Sequence, residues 1–182
     1  MQQTSRAVLM IAAVLAVAPR SSWAQTKDTG HAHHSSAGSG TETAKSPLAW
    51  DAASNTVTFA LSAGVFNFNG YSNGRATLTV PPKSNVVMNF SQDDDTPHSA
   101  VIIEDKDPMP TMADQPAIPR AYTNKATEGL PQGATDVIRF TAPDSGSYRI
   151  FCGVPGHGLS GMWIHFKVDP SAKEPRWETE KQ

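Results

Sequence analysis

Apolar and polar residues alternate with a period of two in several short segments between positions 56 and 168. Val57, Phe59 and Leu61, for example, alternate with threonine and alanine. Successive side chains of a β-strand point to opposite faces, so this period is typical of strands with one buried face. It predicts seven or eight strands, with candidates at residues 56–61, 75–80, 86–90, 99–103, 135–141, 146–152 and 162–168.

Turn-forming residues separate these segments, among them Asn69-Gly70, Asn73-Gly74 and Pro81-Pro82. The 14 prolines and 13 glycines agree with a protein rich in turns, and we find no helical period over ten or more residues. We therefore expect an all-β fold, an antiparallel Greek-key β-sandwich over residues 47–168. Residues 104–133 do not fit this pattern, because they contain five prolines and little alternation. We interpret them as a surface excursion with a role of its own, since plain connections are shorter.

The first 24 residues have the pattern of a secretory signal. An uninterrupted apolar run at residues 7–18 follows Arg6, and Ser22 and Ala24 are small residues at the positions that a signal peptidase reads. We predict cleavage after Ala24 and a periplasmic or extracellular protein. The alternative is an uncleaved membrane anchor, but twelve apolar residues fall short of the roughly 20 that a spanning helix needs.

Polar segments flank the predicted domain on both sides. Residues 25–46 lack large apolar side chains and are interpreted as a flexible linker. The cluster His31 to His34 within it is interpreted as part of a solvated tether rather than as a metal site, because a disordered cluster has no geometry to select a metal. Residues 169–182 are charged, contain Pro170 and Pro175, and are interpreted as a C-terminal tail.

Charge and cysteine content exclude several classes of protein. With 15 basic and 17 acidic residues and a net charge of −2, the chain has no basic footprint for nucleic acid. Its single cysteine excludes an internal disulfide, a cysteine-rich zinc site and an iron–sulfur cluster. In an oxidising compartment an unpaired thiol is exposed to oxidation. Cys152 is therefore expected to be buried and inert, or to be held by a metal.

The spacing around Cys152 favours a metal. Cys152, His157 and Met162 follow a C-x4-H-x4-M pattern between two predicted strands, and nearby glycines allow the loop to fold back so that the three converge. His98, after Pro97 and before another strand, is the candidate for a second imidazole. One thiolate, two imidazoles and a weak thioether form the set of a mononuclear blue copper site. We also expect the backbone amide of Ser99 to donate to the Cys152 sulfur.

These residues also have structural explanations that involve no metal. A single cysteine or methionine in a strand is usually part of the core, but four suitable side chains at strand ends make that explanation less favourable. Met109 and Met112 are weaker candidates for the axial position, because they lie in the excursion. His165 is expected to be a surface histidine, since it shares a face with Trp163 and Lys167.

The segments Phe66-Asn67-Phe68-Asn69-Gly70, Pro97-His98-Ser99 and 152–162 resemble those of the cupredoxins, the type 1 blue copper proteins. The resemblance is to their sulfocyanin branch, with rusticyanin a similar relative, and it covers most of residues 65–168. It implies a β-sandwich, one copper bound by His98, Cys152, His157 and Met162, and electron carriage in a respiratory chain.

The function expected from this reading is that of an exported electron carrier, not an enzyme. The expected partners are redox proteins such as a c-type cytochrome or a terminal oxidase, and we expect a monomer that does not require the membrane. A periplasmic copper chaperone or copper-storage protein is the alternative, and the His31 to His34 cluster keeps it open. A copper enzyme is less favoured, because a second, imidazole-rich copper centre would need more histidines than residues 47–168 contain.

The acidic run Asp93 to Asp95 is interpreted as a solvated loop, with steering of a basic partner as the alternative.

Overall fold

The computed structural model describes residues 46–180. The predicted signal peptide and the His31 to His34 cluster lie outside the described residues. Within them, the structure contains no helix that is long and apolar enough to cross a membrane. One sheet consists of β1 (Leu48–Asp51), β2 (Thr56–Gly64), β3 (Asn67–Phe68), β5 (Asn85–Gln92) and β7 (Thr135–Thr141). The other consists of β4 (Ala76–Val80), β6 (Val101–Glu104), β8 (Gly146–Phe151), β9 (Trp163–Val168) and β10 (Arg176–Thr179).

The two sheets pack face to face through the apolar residues of the alternating pattern. The first sheet has the order β1-β2-β5-β7, with β3 paired to β2, and the second has the order β10-β4-β9-β8-β6. Phe140 of one sheet meets Phe166 of the other edge to face, with ring centroids 5.7 Å apart. One continuous core buries Phe59, Leu78, Met88, Phe140 and Phe166. Burying each such side chain contributes about 1.5 to 3 kcal/mol.

This architecture confirms the predicted all-β sandwich, and a strand lies in each of the seven candidate segments. The direction of strand pairing differs from the expectation. The pairs β2·β5 and β4·β9 are parallel, so both sheets are mixed rather than purely antiparallel. The period of two reports which face of a strand is buried and is the same for both pairing directions. It therefore carries no information on the direction of pairing.

Three strands that the alternating pattern missed bring the number to ten. β1 and β3 are short, with four and two residues. β10 lies within the segment interpreted as a tail, where Arg176 to Thr179 pair with Thr79 to Ala76 at the edge of the second sheet. An edge strand with a polar face has little alternation, and β10 is held by backbone pairing and by Trp177, whose ring centroid lies 4.9 Å from that of Phe59.

The excursion at residues 104–133 runs along the outer edge of β6. The Ala117 amide donates to the carbonyl of Ile102 at 2.7 Å, and the Ile102 amide donates to the carbonyl of Ala121 at 2.9 Å. The Thr123 amide then donates to Ala100 at 2.9 Å. The excursion thus covers backbone groups that an open sheet edge would expose to other chains.

Candidate metal centre

Two loops meet at one end of the sandwich and bring together three of the predicted ligands. His98 lies just before β6, and Cys152 lies directly after β8. Because β6 and β8 pair antiparallel, with Val101 opposite Phe151, the start of the one lies beside the end of the other. His157 lies in residues 152–162, which join β8 to β9 and are called the ligand loop below.

The potential ligand atoms of these residues face one another. His98 Nδ1 lies 3.1 Å from His157 Nδ1, and Cys152 Sγ lies 3.8 Å and 3.6 Å from the same two atoms. An ion at the centre of this triangle would lie roughly 2 Å from each atom, close to the bonds of about 2.0 to 2.3 Å that zinc makes to imidazole and thiolate. A thiolate with two imidazoles suits copper or zinc and not a hard cation such as magnesium. The residues therefore fit a first-row transition metal.

The surroundings of the three side chains differ in solvent access. His98 and Cys152 are fully buried, whereas His157 keeps a partly exposed edge. Burial raises the pKa of the Cys152 thiol, and the backbone amides of Ser99 and Val154 oppose this by stabilising the thiolate. The expected contact between the Ser99 amide and the sulfur is thus found. Burial also lowers the pKa of His157, with a further contribution from His98.

The ligand loop is compact because its own backbone groups pair. The Cys152 amide donates to the Met162 carbonyl at 3.0 Å, and the Met162 amide donates to the His157 carbonyl at 3.1 Å. Gly156 and Gly161 adopt φ angles of 82° and 96°, which disfavour side chains. These turns place the two ends of the loop side by side, as the spacing predicts.

Met162 lies at the end of the ligand loop and is fully buried in the same core cluster as Cys152. Its backbone is hydrogen-bonded to both Cys152 and His157. This placement agrees with the expected role of Met162 as a thioether ligand. Its ligation of the metal stays a prediction. Met112 is about half exposed, and Met109 packs against a separate small cluster that includes Phe151.

The excursion is hydrogen-bonded to both segments that carry the candidate ligands. The Gly156 amide donates to the Thr111 carbonyl at 2.8 Å, and the Ala113 amide donates to the Gly153 carbonyl at 3.2 Å. A Cβ atom on Gly153 would clash with the Ala113 carbonyl oxygen, so the excursion and the loop are in direct contact. On the other side, Leu130 and His98 exchange two backbone hydrogen bonds, at 2.8 and 3.3 Å.

Sequence reasoning missed two residues beside the site. The carboxylate of Asp94, read as part of a solvated run, accepts a hydrogen bond from His98 Nε2 at 2.9 Å. This bond lowers the pKa of Asp94. Phe66 packs edge-on against His157, with ring centroids 4.9 Å apart, and has a φ of 49°. The only sequence signal for Phe66 is its place in the segment shared with sulfocyanins; for Asp94 it is the spacing of four residues to His98.

His165 lies away from this group. Its Nδ1 is 3.1 Å from Asp105 Oδ2, and its ring stands edge-on to Trp163 at 5.2 Å. Within residues 46–180, the side chains that could hold a metal together are His98, Cys152 and His157. The expectation that His165 is a surface histidine agrees with its partly exposed side chain.

Comparison with known sequences identifies relatives of this chain. The family model of the Sulfocyanin (SoxE) domain matches residues 43–176. A curated sulfocyanin from Sulfolobus acidocaldarius is 29% identical over 105 residues, which are 54% of this chain and 53% of that protein. The chain therefore spans about half the length of this curated relative.

Solved structures with a similar course of the backbone include auracyanin B and rusticyanin. Auracyanin B is 22% identical with a TM-score of 0.49, and the match covers 62% of this chain and 88% of that one. Rusticyanin from Thiobacillus ferrooxidans is 24% identical with a TM-score of 0.45, covering 63% of this chain and 82% of that one.

Proposed function

The chain belongs to the Sulfocyanin (SoxE) domain family, and from this membership we propose that it is an exported carrier of single electrons between respiratory-chain partners. Copper-based electron transfer is the general function of this class of blue copper proteins, and their cofactor is one type 1 copper ion. We further propose that the ligands in this chain are His98, Cys152, His157 and Met162. The export, the respiratory partners and the identity of the ligands are the parts that need testing.

The observation that carries the proposal is the convergence of one sulfur and two imidazole nitrogens within 3.8 Å of one another. Copper, when bound, supplies a Cu(II)/Cu(I) couple that takes up and releases one electron. Cys152 and the two histidines would hold the ion as strong ligands, and Met162 would add a weaker thioether ligand. Because both loops are hydrogen-bonded to the excursion, the ligands are held in place independently of the metal. Ligands that cannot rearrange keep the structural change between the two oxidation states small.

The exposed edge of His157 offers a route for the electron. Around it lie apolar side chains that solvent reaches: Phe66, which contacts the imidazole, and Pro155 and Leu159 in the ligand loop. His98 and Cys152 are buried, so a partner protein approaches the site most closely through His157. A small apolar patch of this kind suits a transient partner, because it favours contact without slow dissociation.

The visible spectrum of the copper-loaded protein tests the site. We expect intense visible absorption from a Cu(II)–thiolate bond, and we expect the Cys152→Ser protein to lose it, since a serine hydroxyl cannot replace the thiolate. A Cys152→Ser protein that kept the colour would overturn the assignment. Circular dichroism of both proteins checks that the sandwich is intact.

Voltammetry separates an electron carrier from a copper chaperone or storage protein. A carrier gives a reversible one-electron couple, whereas a chaperone hands its copper to a chelator or an acceptor protein and shows no reversible couple. For the partner, mixing the reduced protein with a c-type cytochrome in a stopped-flow instrument measures electron transfer directly. The mass of the protein recovered from a producing cell tests cleavage after Ala24.

A further inference from the structure

We propose that Asp94 is a positioning residue for the copper site, whose carboxylate holds His98 with Nδ1 towards the metal and favours the oxidised ion. This inference rests on the proposed function for its copper chemistry, but the orientation of His98 can be tested without metal. In the residue pattern, only the spacing of four residues to His98 distinguishes Asp94 from its neighbours Asp93 and Asp95, and its role follows from the three-dimensional contacts.

The two nitrogens of the His98 ring face different partners. Nε2 faces Asp94 Oδ2 at 2.9 Å, and Nδ1 faces His157 Nδ1 and Cys152 Sγ. A neutral imidazole carries its proton on one nitrogen only, so a proton held on Nε2 leaves the Nδ1 lone pair free for a metal. Because His98 is fully buried, an Nε2–H group without an acceptor would be costly. Asp94 therefore selects the tautomer that binds metal.

Asp94 is itself held in place by its neighbours. It is 9% exposed, and the side-chain amide of the fully buried Gln92 donates to its backbone carbonyl at 3.0 Å. The same amide contacts the carbonyl of Thr96, so Gln92 bridges the turn that joins β5 to His98. The carboxylate thus reaches His98 from a braced turn and not from a mobile side chain.

The carboxylates on either side of Asp94 have different surroundings. Asp93 and Asp95 are exposed. The Asp93 carboxylate accepts from the Ser91 hydroxyl at 3.5 Å, and the Asp95 side chain contacts Thr96 at 3.4 Å and the neighbouring Asp94. All three residues carry the same charge within three positions of the chain, yet only Asp94 contacts a ligand imidazole. A general effect of the acidic run would be shared by the three residues, whereas a positioning role belongs to Asp94 alone.

A carboxylate that accepts the outer N–H of a ligand histidine makes the coordinating nitrogen more basic. A more basic nitrogen and a nearby negative charge both favour Cu(II) over Cu(I). Asparagine in place of Asp94 keeps an oxygen that accepts the hydrogen bond and removes the charge. Alanine removes both the acceptor and the charge, so the two variants separate the electronic effect from the orienting effect.

The first experiment measures the reduction potential of the copper-loaded, full mature chain. We expect Asp94→Asn to shift the ratio of Cu(I) to Cu(II) affinity about tenfold towards Cu(I), which raises the potential by about 59 mV for a one-electron couple. Asp93→Asn and Asp95→Asn are matched controls, because each removes one charge from the same turn without touching His98. A shift of the same size in all three variants would overturn the electronic part of the proposal.

The second experiment uses the metal-free protein and nitrogen-15 NMR of its histidines. In the wild type we expect a single His98 tautomer, protonated on Nε2, and the same tautomer in Asp94→Asn. In Asp94→Ala we expect a mixture of tautomers and, on loading, copper affinity reduced about 10- to 100-fold, with Asp94→Asn close to the wild type. An unchanged single tautomer in Asp94→Ala would overturn the positioning role. This result is independent of the proposed function, which fails separately if the loaded wild type shows no Cu(II)–thiolate absorption.

Discussion

Two histidine–aspartate pairs lie in this sandwich with similar geometry and different surroundings. His98 Nε2 is 2.9 Å from Asp94, and His165 Nδ1 is 3.1 Å from Asp105. The free nitrogen of His98 faces the Cys152 sulfur and a second imidazole. The carboxylate beside His165 is instead shared with a cation, because Asp105 also accepts a hydrogen bond from Arg149 Nε at 2.6 Å.

This difference shows what makes a metal centre in the protein. A carboxylate behind a histidine orients the ring in both places. Among residues 46–180, only the first pair has further side chains in front of the ring that could bind a metal. In the second pair the guanidinium of Arg149 donates a hydrogen bond to the Asp105 carboxylate and lies 4.6 Å from the centre of the Trp163 ring. That cluster is a structural one. It is stabilised by the ion pair between Arg149 and Asp105 and by the contact of Arg149 with the Trp163 ring. The contrast can be tested at each pair separately.

The largest expected effect is the loss of the metal site when a ligand histidine is removed. Replacing His157 by alanine takes away one of three strong ligands, so the visible Cu(II)–thiolate absorption should disappear. The matched variant, His165→Ala, should keep the absorption, because His165 contacts Asp105 and Trp163 and no ligand. Visible spectra of the two copper-loaded variants test this difference. Equal losses of absorption in both variants would contradict the distinction between the two histidine–aspartate pairs.

The next effect concerns stability rather than colour. Arg149→Leu leaves the carboxylate of Asp105 without its buried partner, and we expect the free energy of unfolding to fall by about 3 kcal/mol. Urea unfolding of the metal-free protein measures this. The control is Asp107→Asn: Asp107 also contacts Arg149, at 3.2 Å, but its side chain is 79% exposed. A pair with so exposed a partner contributes at most about 1 kcal/mol. If Asp107→Asn lowered the free energy of unfolding as much as Arg149→Leu, the cluster would not be organised around Asp105.

The smallest effect is expected from the axial position. Met162→Leu keeps the side chain apolar and of similar volume, so the fold and the colour should remain. Loss of the weak thioether should shift the reduction potential, which voltammetry measures. Met112→Leu is the control, since Met112 is half exposed in the excursion. An unchanged potential in Met162→Leu would argue against axial ligation.

The sequence predicted the strands well where one face is buried and one is not. β2, for example, alternates strictly from Val57 to Ala63, and its alternate residues are fully buried. β10 escaped prediction because three of its four residues are exposed and two are charged, so that backbone pairing with β4 decides its conformation. The excursion could be recognised from its prolines as irregular. Its contacts with Gly153, Gly156 and His98 could not, because they join residues far apart in the chain.

The candidate ligands were also accessible to sequence reasoning, for a chemical reason. A single thiol, an imidazole and a thioether at regular spacing in one loop restrict the choice of metal, because soft and borderline ligands suit few ions. Ligand type and local spacing are properties of the chain itself. The sequence alone thus determined the all-β fold, the candidate copper ligands and the loop that carries three of them.

Tertiary structure decided everything that depends on direction in space. It selected Asp94 from three adjacent aspartates, placed Phe66 on the His157 ring and assigned Asp105 to Arg149. Hydrogen bonds and ring contacts act only over a few ångströms and depend on orientation. Residues that are equivalent in composition therefore acquire different roles once the chain is folded, and the partners of His98 and His165 are the clearest example.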